Sequence, residues 1–105
     1  MEKKQQYNVI VSDRARQALA THVRFLAKKS PVVARRTKNK LMEAIKSLST
    51  MPERFPFLNT EYIQPNKYHK LFTEKWYLIL YQIKDQTVYV DYIADCRQEY
   101  EWLIR

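Results

Sequence analysis

No glycine occurs anywhere in the 105 residues. Every tight turn must therefore place a side chain where glycine fits most easily, and Asn, Asp, Lys and Gln are the residues suited to that task. There is a single cysteine, Cys96, which excludes an intramolecular disulfide and points to a reducing compartment. No apolar run reaches the length of a membrane span, and the opening MEKKQQYNV has no apolar signal region. A cytoplasmic protein without a membrane partner is expected. Internal repeats and low-complexity segments are also missing.

Negative charge is scarce at one end. Residues 1–40 carry Lys3, Lys4, Arg14, Arg16, Arg24, Lys28, Lys29, Arg35, Arg36, Lys38 and Lys40, opposed only by Glu2 and Asp13, within a formal net charge of +8. Such a surface attracts a polyanion or an acidic protein at long range, and charge alone does not separate the two. For the lysines, a solvated helical face is the plainer reading. The length fits one domain, 1–105, able to bury a core with modest surplus stability.

What is present has a clear order. QYNVIVS reads as a first strand, with Tyr7, Val9 and Val11 on one face and Ile10 suited to burial on the other. Ser12 is a good helix N-cap, and the following segment has Ala15, Leu19, His22 and Leu26 in one stripe, bordered by Ala18, Val23 and Phe25. Ser30-Pro31 caps and starts a second helix whose apolar face is Ala34, Thr37, Leu41, Ala44, Ile45 and Leu48, with Pro52 beyond its end. The two helices form an antiparallel hairpin. MPERFPFLNTEYIQPNK, with three prolines, reads as a loop anchored by Phe55, Phe57, Leu58 and Tyr62.

The C-terminal half changes period. KYHKLFT alternates weakly, WYLILYQI suits a central strand, KDQ turns around Asp85, and TVYVDYIA follows as a strand. The expected fold is α+β: a strand, a two-helix hairpin, then an antiparallel three-stranded meander, with the first strand at an edge or beside the last. Trp102, Leu103 and Ile104 suit a tail docking on the sheet or helices. Cys96 reads as a small buried residue and His22 as packing.

The segments YNVIVSDRARQAL, KKSPVVARR, LMEAIKSLSTMPERFP, YHKLFTEKWYLILYQI and VDYIADCRQEY, in this order and spacing, resemble the RelE/ParE superfamily of toxins from type II bacterial toxin–antitoxin modules, which includes plasmid stabilisation proteins. The resemblance covers nearly the whole chain and is more specific for fold than for target. It implies growth inhibition by one of two routes. RelE-like members cleave mRNA in the ribosomal A site without metal, and ParE-like members poison DNA gyrase. Both kinds are neutralised by a cognate antitoxin, here expected to be acidic and partly disordered. The long helix–Ser-Pro–helix hairpin with its LSTMPERFP exit looks closer to the ParE side or to unassigned members.

RNA cleavage of the RelE kind needs groups that remove a proton from the 2′-hydroxyl, stabilise the phosphorane and protonate the leaving oxygen. The resemblance places Arg97, Lys70, His69 and Tyr100 at the positions concerned. Leu78 falls where many ribonuclease members have arginine, and Asp95-Cys96-Arg97 stands in place of a histidine-x-arginine pattern. His69 and Lys70 are neighbours on a strand, so only one can face a given site. Arg97 suits either a carboxylate or a phosphate. Tyr77, Tyr81, Tyr89 and Tyr92 fit core packing better than base stacking. If the protein instead binds a large target without chemistry, Arg35, Arg36 and Lys40 are the candidate contacts for target or antitoxin. A third reading is an attenuated member acting mainly as a co-repressor, touching DNA only through its antitoxin. No cofactor or metal is expected.

Overall fold

Ser12 joins the first strand to the first helix. In the computed structural model, which describes residues 6–61 and 63–96, its Oγ accepts the Ala15 N–H at 3.0 Å and its own hydroxyl donates to the Asp91 carbonyl at 3.0 Å. One side chain thus caps a helix and ties it to a strand distant in sequence. The strand is β1 (Asn8–Val11) and the helix α1 (Asp13–Ala27). Ser30 caps α2 (Pro31–Lys46) in the same way, accepting from Val33 N–H at 3.2 Å. Four strands follow: β2 (Phe57–Thr60), β3 (Ile63–Thr73), β4 (Tyr77–Lys84) and β5 (Thr87–Asp95). They make one sheet in the order β1-β5-β4-β3-β2, antiparallel except for the parallel pair β1–β5. The α+β layout matches the expected one, and β1 lies both at an edge and beside the last strand. Among the described residues no helix is long and apolar enough to cross a membrane.

The helices cover one face of the sheet. Ala15 from α1, Leu41 and Ile45 from α2, and Leu48 beyond it pack on Leu71, Tyr77, Ile79, Tyr81, Val88, Val90 and Ile93. Each aliphatic side chain so buried contributes roughly 1.5–3 kcal/mol. His22 belongs to this layer as expected: its Nε2 lies 2.9 Å from the Ile93 carbonyl and its ring 5.6 Å from that of Tyr77.

Three expectations need correction. The segment expected as a loop after α2 instead holds two short 3-10 turns (Ser47–Ser49 and Pro52–Arg54), the edge strand β2 and the start of β3. Its prolines sit at a helical turn, between elements and at the outer part of β3, where a missing N–H does little harm. Ile10 is 48 % exposed, because the face of β1 turned away from the helices has no element over it among the described residues. Cys96 is only half-buried. Of the expected loop anchors, Leu58 is buried, Phe55 half-buried and Phe57 exposed. Tyr62 and the tail with Trp102, Leu103 and Ile104 lie outside the described residues.

The exit from α2 is held by Arg54. Its Nη1 donates to the carbonyls of Ser47, Thr50 and Met51, and its Nη2 to Ser47 Oγ. Ser47 is the C-cap of α2, and Thr50 and Met51 lie in the turns beyond it, so one guanidinium gathers the whole corner. Met51 takes a left-handed φ of 48° at this corner, where a residue other than glycine costs about 1–2 kcal/mol. The missing glycine is met elsewhere by Asn66, Glu74, Lys75 and Asp85, all with positive φ.

Tyr81 fastens the same corner from below, its hydroxyl donating to the Pro52 carbonyl at 2.7 Å. Burial, the largest cause, pushes this hydroxyl from 10.0 up to about 12. The folded protein therefore keeps a proton that the unfolded chain releases near pH 10. The linked stability is complete below pH 10 and is lost as pH rises from 10 through about 12. In Tyr81→Phe the alkaline loss measured by denaturant unfolding should be smaller, while stability at pH 7 falls by about 1–3 kcal/mol for the unpaired Pro52 carbonyl. An unchanged alkaline profile would remove Tyr81 from this role.

Candidate functional site

The sheet face away from the helices is built by β3, β4 and β5. Strand alternation sends His69, Leu71, Ile79 and Tyr81 toward the helices and Tyr68, Lys70, Phe72, Leu78 and Leu80 to the open face. Here Leu78, Leu80, Ala94 and Leu58 form a second, smaller apolar cluster, joined by Ile63, Tyr68, Tyr92 and Cys96. Leu78 is fully buried within it.

Beside this cluster lies a polar hub. The β4–β5 register slips between Leu80 and Tyr81, so that Tyr92 and Val90 pair with them and Asp91 is the extra residue of a bulge. The Asp91 carboxylate accepts the Tyr68 hydroxyl at 2.6 Å and the Gln82 amide at 3.4 Å, and lies 3.8 Å from the Arg14 guanidinium. Its carbonyl accepts from Ser12 Oγ and from Arg14 Nε. Arg14 also sits over the Tyr92 ring at 5.6 Å. Burial, then the hydrogen bond and charge of Asp91, raise the Tyr68 hydroxyl above its ordinary range, against the opposing pull of Arg14. Tyr68 thus remains a donor at all ordinary pH.

His69 and Lys70, the neighbouring candidates, do not meet on one surface. His69 is buried on the helix side, its Nδ1 2.7 Å from the Phe55 carbonyl and its ring stacked on Tyr81 at 5.2 Å and close to Phe57 at 4.2 Å. Lys70 is half-buried on the open face. Arg97 and Tyr100 lie outside the described residues. Arg35, Arg36 and Lys40 are exposed on α2, and Lys40 lies 3.9 Å from Glu43.

A groove of about 440 Å³ runs between α1 and α2. Its floor is Leu19, Ala20, Val23, Met42 and Ile45, and Arg16, Arg24 and Lys38 flank it. This surface and the Asp91 hub were not singled out in the sequence. The groove does leave a trace there: Arg16, Ala20, Val23 and Arg24 recur at helical spacing beside the main apolar stripe. The hub depends on a bulge, which no local pattern marks.

A sequence profile for the ParE toxin of type II toxin–antitoxin systems matches residues 9–100. The chain belongs to the ParE toxin family. The chromosomal ParDE toxin–antitoxin system from P. aeruginosa contains a chain similar in structure, with a TM-score of 0.70 and 15 % identity, covering 87 % of this chain and 97 % of that one. At that identity the likeness concerns the fold. No curated protein matches the sequence. As a ParE-family toxin, the chain has two distinct faces: a basic, grooved helical face, and a sheet face on which the buried cluster around Leu78 lies beside the polar hub of Asp91.

The hub should be cooperative. Tyr68→Phe and Asp91→Asn should each destabilise by about 1–2 kcal/mol in urea, and the double variant should lose less than their sum. Strict additivity would mean that the 2.6 Å contact contributes nothing of its own.

Proposed function

We propose that this ParE-family chain arrests bacterial growth by binding DNA gyrase without chemistry of its own, and that a cognate acidic antitoxin silences it from the groove between α1 and α2. The observation that carries the first half is Leu78. The superfamily resemblance puts an arginine of the ribonuclease members at this position, whereas here a leucine is wholly buried among Leu58, Leu80 and Ala94. A cation that would hold a transition-state phosphate is replaced by a piece of core. His69 adds to this, since its ring is committed to Tyr81 and the Phe55 carbonyl.

The second half rests on complementarity. The groove of about 440 Å³ has an apolar floor suited to the apolar face of an amphipathic helix, and Arg16, Arg24 and Lys38 match acidic residues along its edges. A disordered acidic segment would order itself on docking. Arg35, Arg36 and Lys40, exposed farther along α2, then remain as contacts for the target. A second reading, cleavage of mRNA on the ribosome, draws support from Lys70, which points to the open face; Arg97 and Tyr100 would complete that site, and His69 could act only from the opposite face. An attenuated toxin serving as co-repressor, reaching DNA through the antitoxin, is the third.

Induction of the protein alone in bacteria separates these. Filamentation and DNA damage with continuing translation are expected. Prompt loss of translation with transcripts cut in the A site would replace the gyrase reading by the ribonuclease one, and normal growth would sink both. Met42→Glu in the groove floor should weaken antitoxin binding by more than about thirtyfold in a calorimetric titration, while toxicity persists. Unaltered antitoxin affinity would move its seat elsewhere.

A further inference from the structure

The sheet face away from the helices is drier than a bare face can be. Leu78 and Ala94 have no exposed surface there, Leu80 is buried, and Leu58 is only 4 % exposed although it stands on the edge strand. Every described residue packed with them comes from the sheet itself: Ile63 and Tyr68 from β3, Tyr92 from β5, and Cys96 directly after it. Side chains on one sheet face shield one another sideways, and full burial takes a second layer above them. That layer is narrow, because Ile10, Phe72 and Tyr89 share the same face and are exposed. It also belongs to the molecule, because the burial exists in a single copy of the chain.

We propose that the occupant of this seat is the chain's own C-terminal segment, residues 97–105, laid across Ala94, Leu78, Leu80 and Leu58. Outside the described residues the chain has only positions 1–5, 62 and 97–105. The first five, MEKKQ, bring one apolar side chain, and position 62 is a single residue. The last nine, RQEYEWLIR, hold Tyr100, Trp102, Leu103 and Ile104. They begin at the seat: Cys96 is packed against the cluster, and its N–H donates to the Trp76 carbonyl at 2.7 Å. At helical spacing Cys96, Tyr100, Leu103 and Ile104 share one stripe, and at strand spacing Tyr100, Trp102 and Ile104 share one face. Either period offers apolar side chains to the sheet. The reach is sufficient: β5 and β2 are three strand spacings apart, about 14 Å, and six extended residues span about 20 Å. Seated there, Tyr100 comes to the face that carries Lys70, and the sheet separates it from His69. The seat is independent of the groove between the helices and of the reading of gyrase as target.

Nuclear Overhauser spectra of the full chain with labelled leucine methyls test this. Contacts from the Tyr100 and Trp102 rings to the methyls of Leu58, Leu78 and Leu80 are expected. In a mixture of labelled and unlabelled chains they should remain within one copy. Leu103→Ser combined with Ile104→Ser should weaken these contacts and raise the fluorescence of added anilinonaphthalene sulfonate, which reports newly exposed apolar surface, whereas Arg105→Ser should change neither. Contacts from residues 97–105 to Leu19 and Val23 in the helical groove instead, contacts only between copies, or none to the Leu78 cluster overturns the proposal. Dye fluorescence indifferent to the double variant does the same. Should that variant fail to fold, the spectra of the unaltered chain decide alone.

Discussion

The extra residue that Asp91 inserts into β5 lets one strand serve three neighbours. On one side β5 pairs in parallel with β1, on the other it pairs antiparallel with β4, and at the bulge its backbone and carboxylate turn out of the ladder. There they receive Ser12, Arg14 and Tyr68. The start of α1 is therefore positioned by the same residue that organises the open face. Beyond the bulge the strand resumes its alternation, so Val88, Val90 and Ile93 all reach the helical core while Tyr92 and Ala94 face the other way. Were β5 regular through Asp91, with no bulge, Ile93 would fall on the face away from the helices and the main core would lose a fully buried side chain.

Much of this was legible in the sequence because it is local. Ser12 and Ser30-Pro31 mark helix starts by a hydrogen bond made within one turn, and the stripes Ala15–Leu26 and Ala34–Leu48 follow from helical period alone. WYLILYQI reads as a central strand because it is apolar on both faces, and the structure explains why: Tyr77, Ile79 and Tyr81 enter the large core while Leu78 and Leu80 enter the small one. Ile10 was misjudged because burial on a second face depends on what lies over it, and that is a tertiary fact. The strand β2 was missed because three prolines and an asparagine obscure it. Its order comes instead from pairing with β3, next to an exit held by Arg54 and Tyr81.

The candidate site was less legible. His69 and Lys70 are adjacent letters, but strand geometry gives one a buried life against Tyr81 and Phe57 and the other the open face. The basic residues of the first forty positions read as one block of charge. Folding divides them: Arg14 goes to the Asp91 hub, Arg16, Arg24 and Lys38 flank an apolar groove, and Arg36 faces the β3–β4 turn. Composition indicates an acidic or anionic partner, and only the fold separates the places at which such partners can be met.

The parallel pairing of β1 with β5 has a kinetic side. Ser12 and Asp91 are 79 residues apart in sequence, so the β1 edge closes only after the intervening chain has been brought together. The helical hairpin and the β3–β4–β5 meander rest on shorter-range contacts and can form first. β1 is thus the late seam of the molecule, short, on the rim of the sheet, with Ile10 half in water. A seam of this kind is the natural place for a transient opening to begin, and it lies next to the helix whose side chains flank the groove.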